Sequence, residues 1–182
     1  MQSFQPPRRF LMGPGPSDIS PRVLSALARP TIGHLDPAFQ GLMEEIKAAL
    51  SRLVVLAEEG VAAAHARHRR MHLALVAGLE AAGLKFLAAP GDRLPQLNAV
   101  LVPEGIDEAE VRARLLSDYD LEIGAGLGPL KGRIWRIGLM GSSATAWHVR
   151  LCLTALTDAL CAQNYPDVAR EALAAAEASL AA

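Results

Sequence analysis

The chain has few cysteines, and their spacing excludes a disulfide-stapled secreted domain. Its 182 residues include only Cys152 and Cys161, which lie nine positions apart on one predicted helix. Two cysteines this far apart along a helix are beyond the reach of a disulfide, so both are interpreted as free thiols. Because free thiols are typical of reducing compartments, we expect a cytoplasmic protein.

The chain also lacks an excess of either charge and any long apolar run. Its 18 basic and 19 acidic residues give a formal charge of −1 at pH 7, whereas nucleic acids and anionic membranes require a concentrated basic surface. The sequence contains neither an apolar stretch long enough to span a bilayer nor the apolar segment of a signal peptide. We therefore predict no nucleic-acid partner and no membrane partner, and we expect a small molecule or another protein instead.

Residues 132–141 are predicted to form a short β-strand that carries an arginine. Glycines at both ends are turn signals, and two residue sets alternate between the strand's faces: Ile134, Arg136 and Gly138, and Trp135, Ile137 and Leu139. A guanidinium among apolar neighbours is costly unless it meets a carboxylate or a phosphate. Arg136 is therefore predicted to bind an anion. The alternatives are a structural ion pair to an acidic residue and an outward-facing position on an edge strand.

The first half of the chain is predicted to contain an arm and a long helix. Residues 1–36 are read as an extended arm and a short helix, because proline excludes helix in the arm, where Gly13 and Gly15 would allow a close approach of the backbone. Residues 37–82 contain no proline after the first position. One long helix, or two helices with a break near Gly60, is therefore expected.

The second half is predicted to be a small α+β domain, residues 83–165, followed by a terminal helix, residues 166–182. Strand patterns at 84–87, 97–102 and 121–123 surround a helix that Asp107 caps. A second helix has an apolar stripe that should cover the sheet: Val149, Cys152, Leu153, Leu156 and Leu160. The alanine-rich terminal helix has few packing residues and is expected to fray.

The predicted fold class is therefore α+β. A small, mostly antiparallel sheet is covered on one face by helices, and an extended arm and a long helix precede it.

Two other patterns suggest binding chemistry but lack essential residues. His65, His68 and His72 share one helix face, yet no cysteine or carboxylate supplies a third ligand at a recognisable spacing, so no metal site is predicted. Residues 124–128 are rich in glycine but neither complete a dinucleotide fingerprint nor open a helix. They are interpreted as the connection into the strand that carries Arg136.

Residues 135–145, WRIGLMGSSAT, resemble the C-terminal signature of class V aminotransferases of the alanine–glyoxylate (serine–pyruvate) type. Residues 97–107 and 121–128 resemble the small domain of that family in order and spacing. Residues 11–17 and 33–39 resemble its N-terminal arm and first helix. The resemblance implies the C-terminal small domain of a fold-type I aminotransferase.

The same resemblance implies roles for three residues. Arg136 would bind the α-carboxylate of an amino-acid or keto-acid substrate, and Gly13 and Gly15 would line the substrate site. In the family the arm and the first helix also contribute dimer contacts. We therefore expect a homo-oligomer that binds small carboxylates weakly.

The large domain that holds pyridoxal phosphate in this family would lie between the first helix and the small domain. Here residues 46–50 run almost directly into residues 55–60, with a junction near 50–56. None of the three lysines lies in the family's Schiff-base context: Lys47, Lys85 and Lys131. We therefore expect no catalytic residue, no bound cofactor and no transaminase activity for the chain alone. The alternatives are a self-associating interaction module, an incomplete gene model or an engineered deletion.

Overall fold

A computed structural model places the chain in two compact units, Ile19–Arg67 and Met1–Asp18 with His68–Ala182. It describes residues 10–11, 19–28, 41, 43, 45–46 and 58–182. The predicted junction near 50–56 and the candidate site residues Gly13 and Gly15 lie outside the described residues.

The described helices and strands follow the order that the sequence predicts for an α+β fold. The helices are α1 (Pro21–Leu27), α2 (Val61–Ala81), α3 (Glu108–Tyr119), α4 (Ala146–Cys161) and α5 (Ala169–Ala181). The strands are β1 (Phe10–Leu11), β2 (Leu97–Leu101), β3 (Leu121–Glu122), β4 (Gly124–Ala125) and β5 (Ile134–Gly138). The predicted fold class is confirmed.

A glycine with positive φ precedes α2. Gly60 has φ +84° and is not helical, and the helix begins at Val61. Residues with a side chain rarely adopt this left-handed backbone, whereas glycine does so without a steric penalty. The prediction of one uninterrupted helix over 37–82 is therefore wrong at residue 60, and the alternative of a break near Gly60 is the one observed.

The main sheet has three antiparallel strands in the order β2-β5-β4. Its central strand places Arg136 opposite Ala99 on β2 and opposite Gly124 on β4. A separate pair of strands, β1 and β3, is parallel.

The prediction of a full strand over residues 84–87 is wrong. Phe86 only bridges to Val100, because the chain turns away at the 3₁₀ turn Pro90–Asp92.

One face of β5 lies in the hydrophobic core of the larger unit. Trp135, Ile137 and Leu139 are fully buried, and the Trp135 indole N–H donates to the Glu108 carbonyl over 3.3 Å. The predicted stripe on α4 is also confirmed, since all five of its residues are fully buried in the same core: Val149, Cys152, Leu153, Leu156 and Leu160.

The predicted cap of α3 is confirmed. The Asp107 carboxylate accepts hydrogen bonds from the backbone N–H groups of Ala109, at 2.8 Å, and Glu110, at 3.0 Å. These bonds satisfy two of the donors that a helix start leaves without intrahelical partners.

The terminal helix has more packing residues than the sequence suggests, because its small residues pack closely, whereas fraying of its end stays a prediction. Ala172 and Ala176 are fully buried, and the Glu177 carboxylate binds the Arg150 guanidinium of α4 through two hydrogen bonds. A Cβ added at Gly78 of α2 would lie 2.5 Å from the Leu153 side chain and 3.0 Å from the Ala172 carbonyl. Glycine and alanine therefore allow three helices to approach one another.

A polar pair lies within the otherwise apolar core. His72 of α2 is 7% exposed, and its Nδ1 lies 2.8 Å from the Asn98 side-chain oxygen. Asn98 is 2% exposed and donates to the Ile137 carbonyl over 3.4 Å. Burial lowers the pKa of His72 below its ordinary value, because the charged imidazolium loses hydration there.

We predict that acidification destabilises the fold through His72. In the unfolded chain a histidine has a pKa of about 6.5, so the unfolded chain binds a proton at His72 more tightly than the folded chain does. The contribution of the neutral His72 to the free energy of unfolding is therefore fully present above that pH, and it is lost as the pH drops through it. Urea unfolding at neutral and at mildly acidic pH measures the decrease in the free energy of unfolding. This decrease should be smaller in His72→Gln. His65→Gln, on the exposed side of the same helix, should keep the wild-type loss. An equal loss in all three proteins would contradict the assignment.

Candidate functional site

Arg136 lies at the middle of the central strand and is half-buried. Its sequence neighbours Trp135 and Ile137 are fully buried. Because successive side chains of a strand alternate between faces, these two anchor the strand from the opposite face of the sheet. The strand is therefore fixed by this apolar face. Arg136 lies on the other face, which is itself partly covered, since Ile134 there is 2% exposed.

The Arg136 side chain is oriented by a backbone carbonyl. Its Nε donates to the Ala125 oxygen over 2.6 Å. Along the same two strands, the Gly126 N–H donates to the Ile134 carbonyl over 3.1 Å. Gly126 and Ile134 therefore form a hydrogen-bonded pair. Hydrogen-bonded and non-hydrogen-bonded pairs alternate in an antiparallel ladder, so the adjacent pair, Ala125 with Trp135, is not hydrogen-bonded. The Ala125 carbonyl therefore points to the outer edge of β4, away from β5.

The turn after β4 is closely packed. A Cβ added at Gly126 would overlap the Leu130 carbonyl. Hydrogen bonds from Leu130 N to the Leu127 oxygen, at 3.1 Å, and from Arg133 N to the Leu130 oxygen, at 3.0 Å, close the turn. The glycine-rich segment is therefore a compact connection that holds the end of β4 in place.

Arg136 differs from several other arginines of the larger unit in having no acidic partner among the described residues. Five of those arginines contact carboxylates: Arg93 with Glu80, Arg112 with Glu108, Arg114 with Asp158, Arg150 with Glu177, and Arg170 with Glu171. The only side-chain hydrogen bond of Arg136 to a described residue is the one from Nε. The alternative of a structural ion pair therefore has no support within the described part of the chain. The two terminal nitrogens are the donors that remain for an anion.

The two described lysines, Lys85 and Lys131, are exposed. Lys85 borders a groove of about 660 Å³ that also contains Arg93. The Arg93 guanidinium binds Glu80 over 2.8 Å and lies 4.1 Å from the centre of the Phe86 ring. Sequence reasoning missed this cluster, because its members lie in a helix, a bridge and a turn. These contacts already engage the arginine, which leaves the exposed Lys85 as the other cation at this groove.

The remaining nucleophile and metal candidates show no site either. Burial raises the pKa of the Cys152 thiol to about 12, which keeps it protonated at neutral pH. His72 is bonded to Asn98, whereas His65 is exposed. Among the described residues, no three histidine, cysteine or acidic side chains come together as metal ligands. In the same part of the chain, no helix is long and apolar enough to cross a membrane.

Comparison with known proteins relates the chain to aminotransferases. It is 40% identical over 125 residues to the (S)-ureidoglycine–glyoxylate transaminase of Bacillus subtilis, a match that covers 69% of the chain and 30% of that protein. It is 39% identical over 109 residues to the alanine–glyoxylate aminotransferase of Callithrix jacchus, covering 59% and 26% respectively. No protein-family model matches the chain.

A solved structure shows the same relationship at the level of the fold. The pyridoxamine–pyruvate aminotransferase of Mesorhizobium loti superposes with a TM-score of 0.69 at 32% identity. The match covers 71% of the chain and 33% of that structure. The chain thus spans about a third or less of the length of these three relatives.

Proposed function

Because the chain belongs to the alanine–glyoxylate aminotransferase family, we propose that Arg136 binds small carboxylates and that the chain alone does not transfer amino groups. The observation that carries the proposal is the half-buried Arg136 guanidinium, which has its Nε bound to Ala125 and no acidic partner among the described residues. In the family that the sequence resembles, the arginine of the Trp-Arg-Ile-Gly motif binds the substrate carboxylate. A guanidinium forms two parallel hydrogen bonds with such a group.

The second half of the proposal rests on what amino-group transfer requires. Members of the family use pyridoxal phosphate, and such chemistry needs a lysine that holds the cofactor, an anion site for its phosphate and a partner for its ring nitrogen. Lys85 and Lys131 are exposed, and Arg93 is engaged by Glu80 and Phe86. Lys47 lies outside the described residues. The described residues do not fit the cofactor, which supports a chain that lacks the family's central domain.

We expect pyruvate to bind at Arg136 with an affinity of about 1 mM or weaker, because one charge-assisted arginine contact contributes only about 1.5 to 3 kcal/mol. Titration followed by backbone amide NMR signals, which every variant retains, together with guanidinium signals, measures the binding. Arg136→Gln should abolish the response, whereas Arg133→Gln, an equal charge change at an exposed neighbour, should preserve it. Pyruvamide, which lacks the carboxylate, should give no response in any protein. Equal pyruvate responses in wild type and Arg136→Gln would contradict the proposal.

We further predict that no lysine of the chain forms a specific adduct with pyridoxal phosphate. Incubation with the cofactor, borohydride reduction and peptide mapping should give only low, scattered labelling of the three lysines. Alanine and glyoxylate should not be converted. Stoichiometric labelling of one lysine, together with turnover, would overturn the inactivity of the isolated chain.

A second candidate function, self-association, is favoured by the exposed apolar residues of the smaller unit. Its described large apolar side chains are between one third and three quarters exposed: Ile19, Val23, Leu24, Leu27, Met43, Ile46 and Val61. Apolar surface of this kind is typical of protein interfaces. We propose a homo-oligomer formed through this surface.

Sedimentation at micromolar concentration tests this second proposal. We predict a dimer or larger species, and Leu24→Asp with Leu27→Asp should shift the distribution toward the 19.3 kDa monomer. The exposed pair Leu87→Asp and Leu94→Asp in the larger unit serves as the matched control. A wild type that remains monomeric at all concentrations would refute the proposal.

The origin and location of the chain are also proposals. Sequencing the genomic DNA across codons 50–56 distinguishes a natural chain from an incomplete gene model or an engineered deletion. We propose a reducing, cytoplasmic location, supported by the free thiols of Cys152 and Cys161.

A further inference from the structure

Arg136 reaches its carbonyl partner by crossing the edge strand of the sheet. Gly124 is directly opposite Arg136 on β4, and side chains in directly opposite positions project to the same face. The Ala125 carbonyl, which accepts from Arg136 Nε, points to the outer edge of that strand. The arginine side chain therefore passes over Gly124, where no side chain stands in its way.

The backbone does not require glycine at this position. Six described glycines have positive φ: Gly60, Gly83, Gly105, Gly128, Gly132 and Gly141. Gly124 is not among them and lies in strand conformation. Glycine within a strand weakens the strand, and it commonly marks a place where another group approaches closely. The register and the Nε hydrogen bond place the Arg136 side chain beside Gly124 on its way to Ala125.

We propose that Gly124 is a positioning residue for Arg136. Its missing side chain leaves the path to the Ala125 carbonyl open, and the Nε hydrogen bond then fixes the plane of the guanidinium. Because Nε is occupied, a carboxylate meets only the two terminal nitrogens, in an end-on pair. This assigns the geometry of carboxylate recognition and rests on the proposed function of Arg136.

The test compares Gly124→Val with Ala99→Val. Ala99 flanks Arg136 from β2, on the side away from Ala125, so valine there adds volume beside the arginine without blocking the path. The first measurement is hydrogen exchange of the Arg136 Nε–H, which needs no ligand. We expect exchange to accelerate in Gly124→Val and to stay slow in Ala99→Val. The second is pyruvate titration, in which the apparent Kd should rise roughly fivefold or more in Gly124→Val alone.

The outcomes separate this inference from the proposed function. If wild type binds no pyruvate, the proposed function fails, while the exchange measurement still decides the role of Gly124. Slow exchange in Gly124→Val, or equally fast exchange in both valine variants, would overturn the inference. If Gly124→Val does not fold, Gly124→Ala adds a single methyl at the same place, and the same exchange criterion applies to it. Unfolding midpoints of the folded variants identify effects that arise from stability alone.

Discussion

The burial of one face of β5 is the constraint on which the rest of the larger unit depends. Trp135, Ile137 and Leu139 are fully buried, and full burial of an aliphatic side chain contributes roughly 1.5 to 3 kcal/mol. A shift of the strand by one residue would expose all three and place Arg136 in the core. The register of the sheet is therefore strongly determined. Arg136 is held on the other face, where it is half-buried, because its neighbours Trp135 and Ile137 are held in the core.

The helices support this arrangement through small residues and polar contacts at their ends. Gly78 lies close to Leu153 and to the Ala172 carbonyl, so larger residues there would force the helices apart. Arg70 donates to the Leu180 carbonyl near the end of α5. This contact satisfies one of the carbonyl groups that a helix end leaves free. Close packing and end contacts together fix the helix layer against which the strand lies.

The chemistry of the site follows from what a guanidinium is able to do. Arg136 carries a permanent charge and several N–H donors in one plane, so it recognises a planar anion. Because a guanidinium keeps its charge in proteins, it is a poor general acid or base. The carboxylate binding that we propose for Arg136 requires only these properties, whereas amino-group transfer requires groups that the described part of the chain does not bring to it. The family relationship and the proposed loss of activity are thus compatible.

The sequence by itself determined the features that depend on neighbouring residues. The strand around Arg136, the Asp107 cap and the buried stripe of α4 were predictable, because alternation, capping and helical spacing act over a few positions. The break at Gly60 remained one of two alternatives, since glycine weakens a helix without always ending it.

Only the tertiary structure decided which groups meet across the chain. The partner of Arg136 is the Ala125 carbonyl, because the strand register brings the edge of β4 within reach of its side chain. The reduction of 84–87 to a bridge at Phe86 and the packing of α5 through Ala172 were likewise not predicted. Such contacts depend on which elements become neighbours in space. The packing of the whole core determines which elements become neighbours, and a local sequence pattern does not encode it.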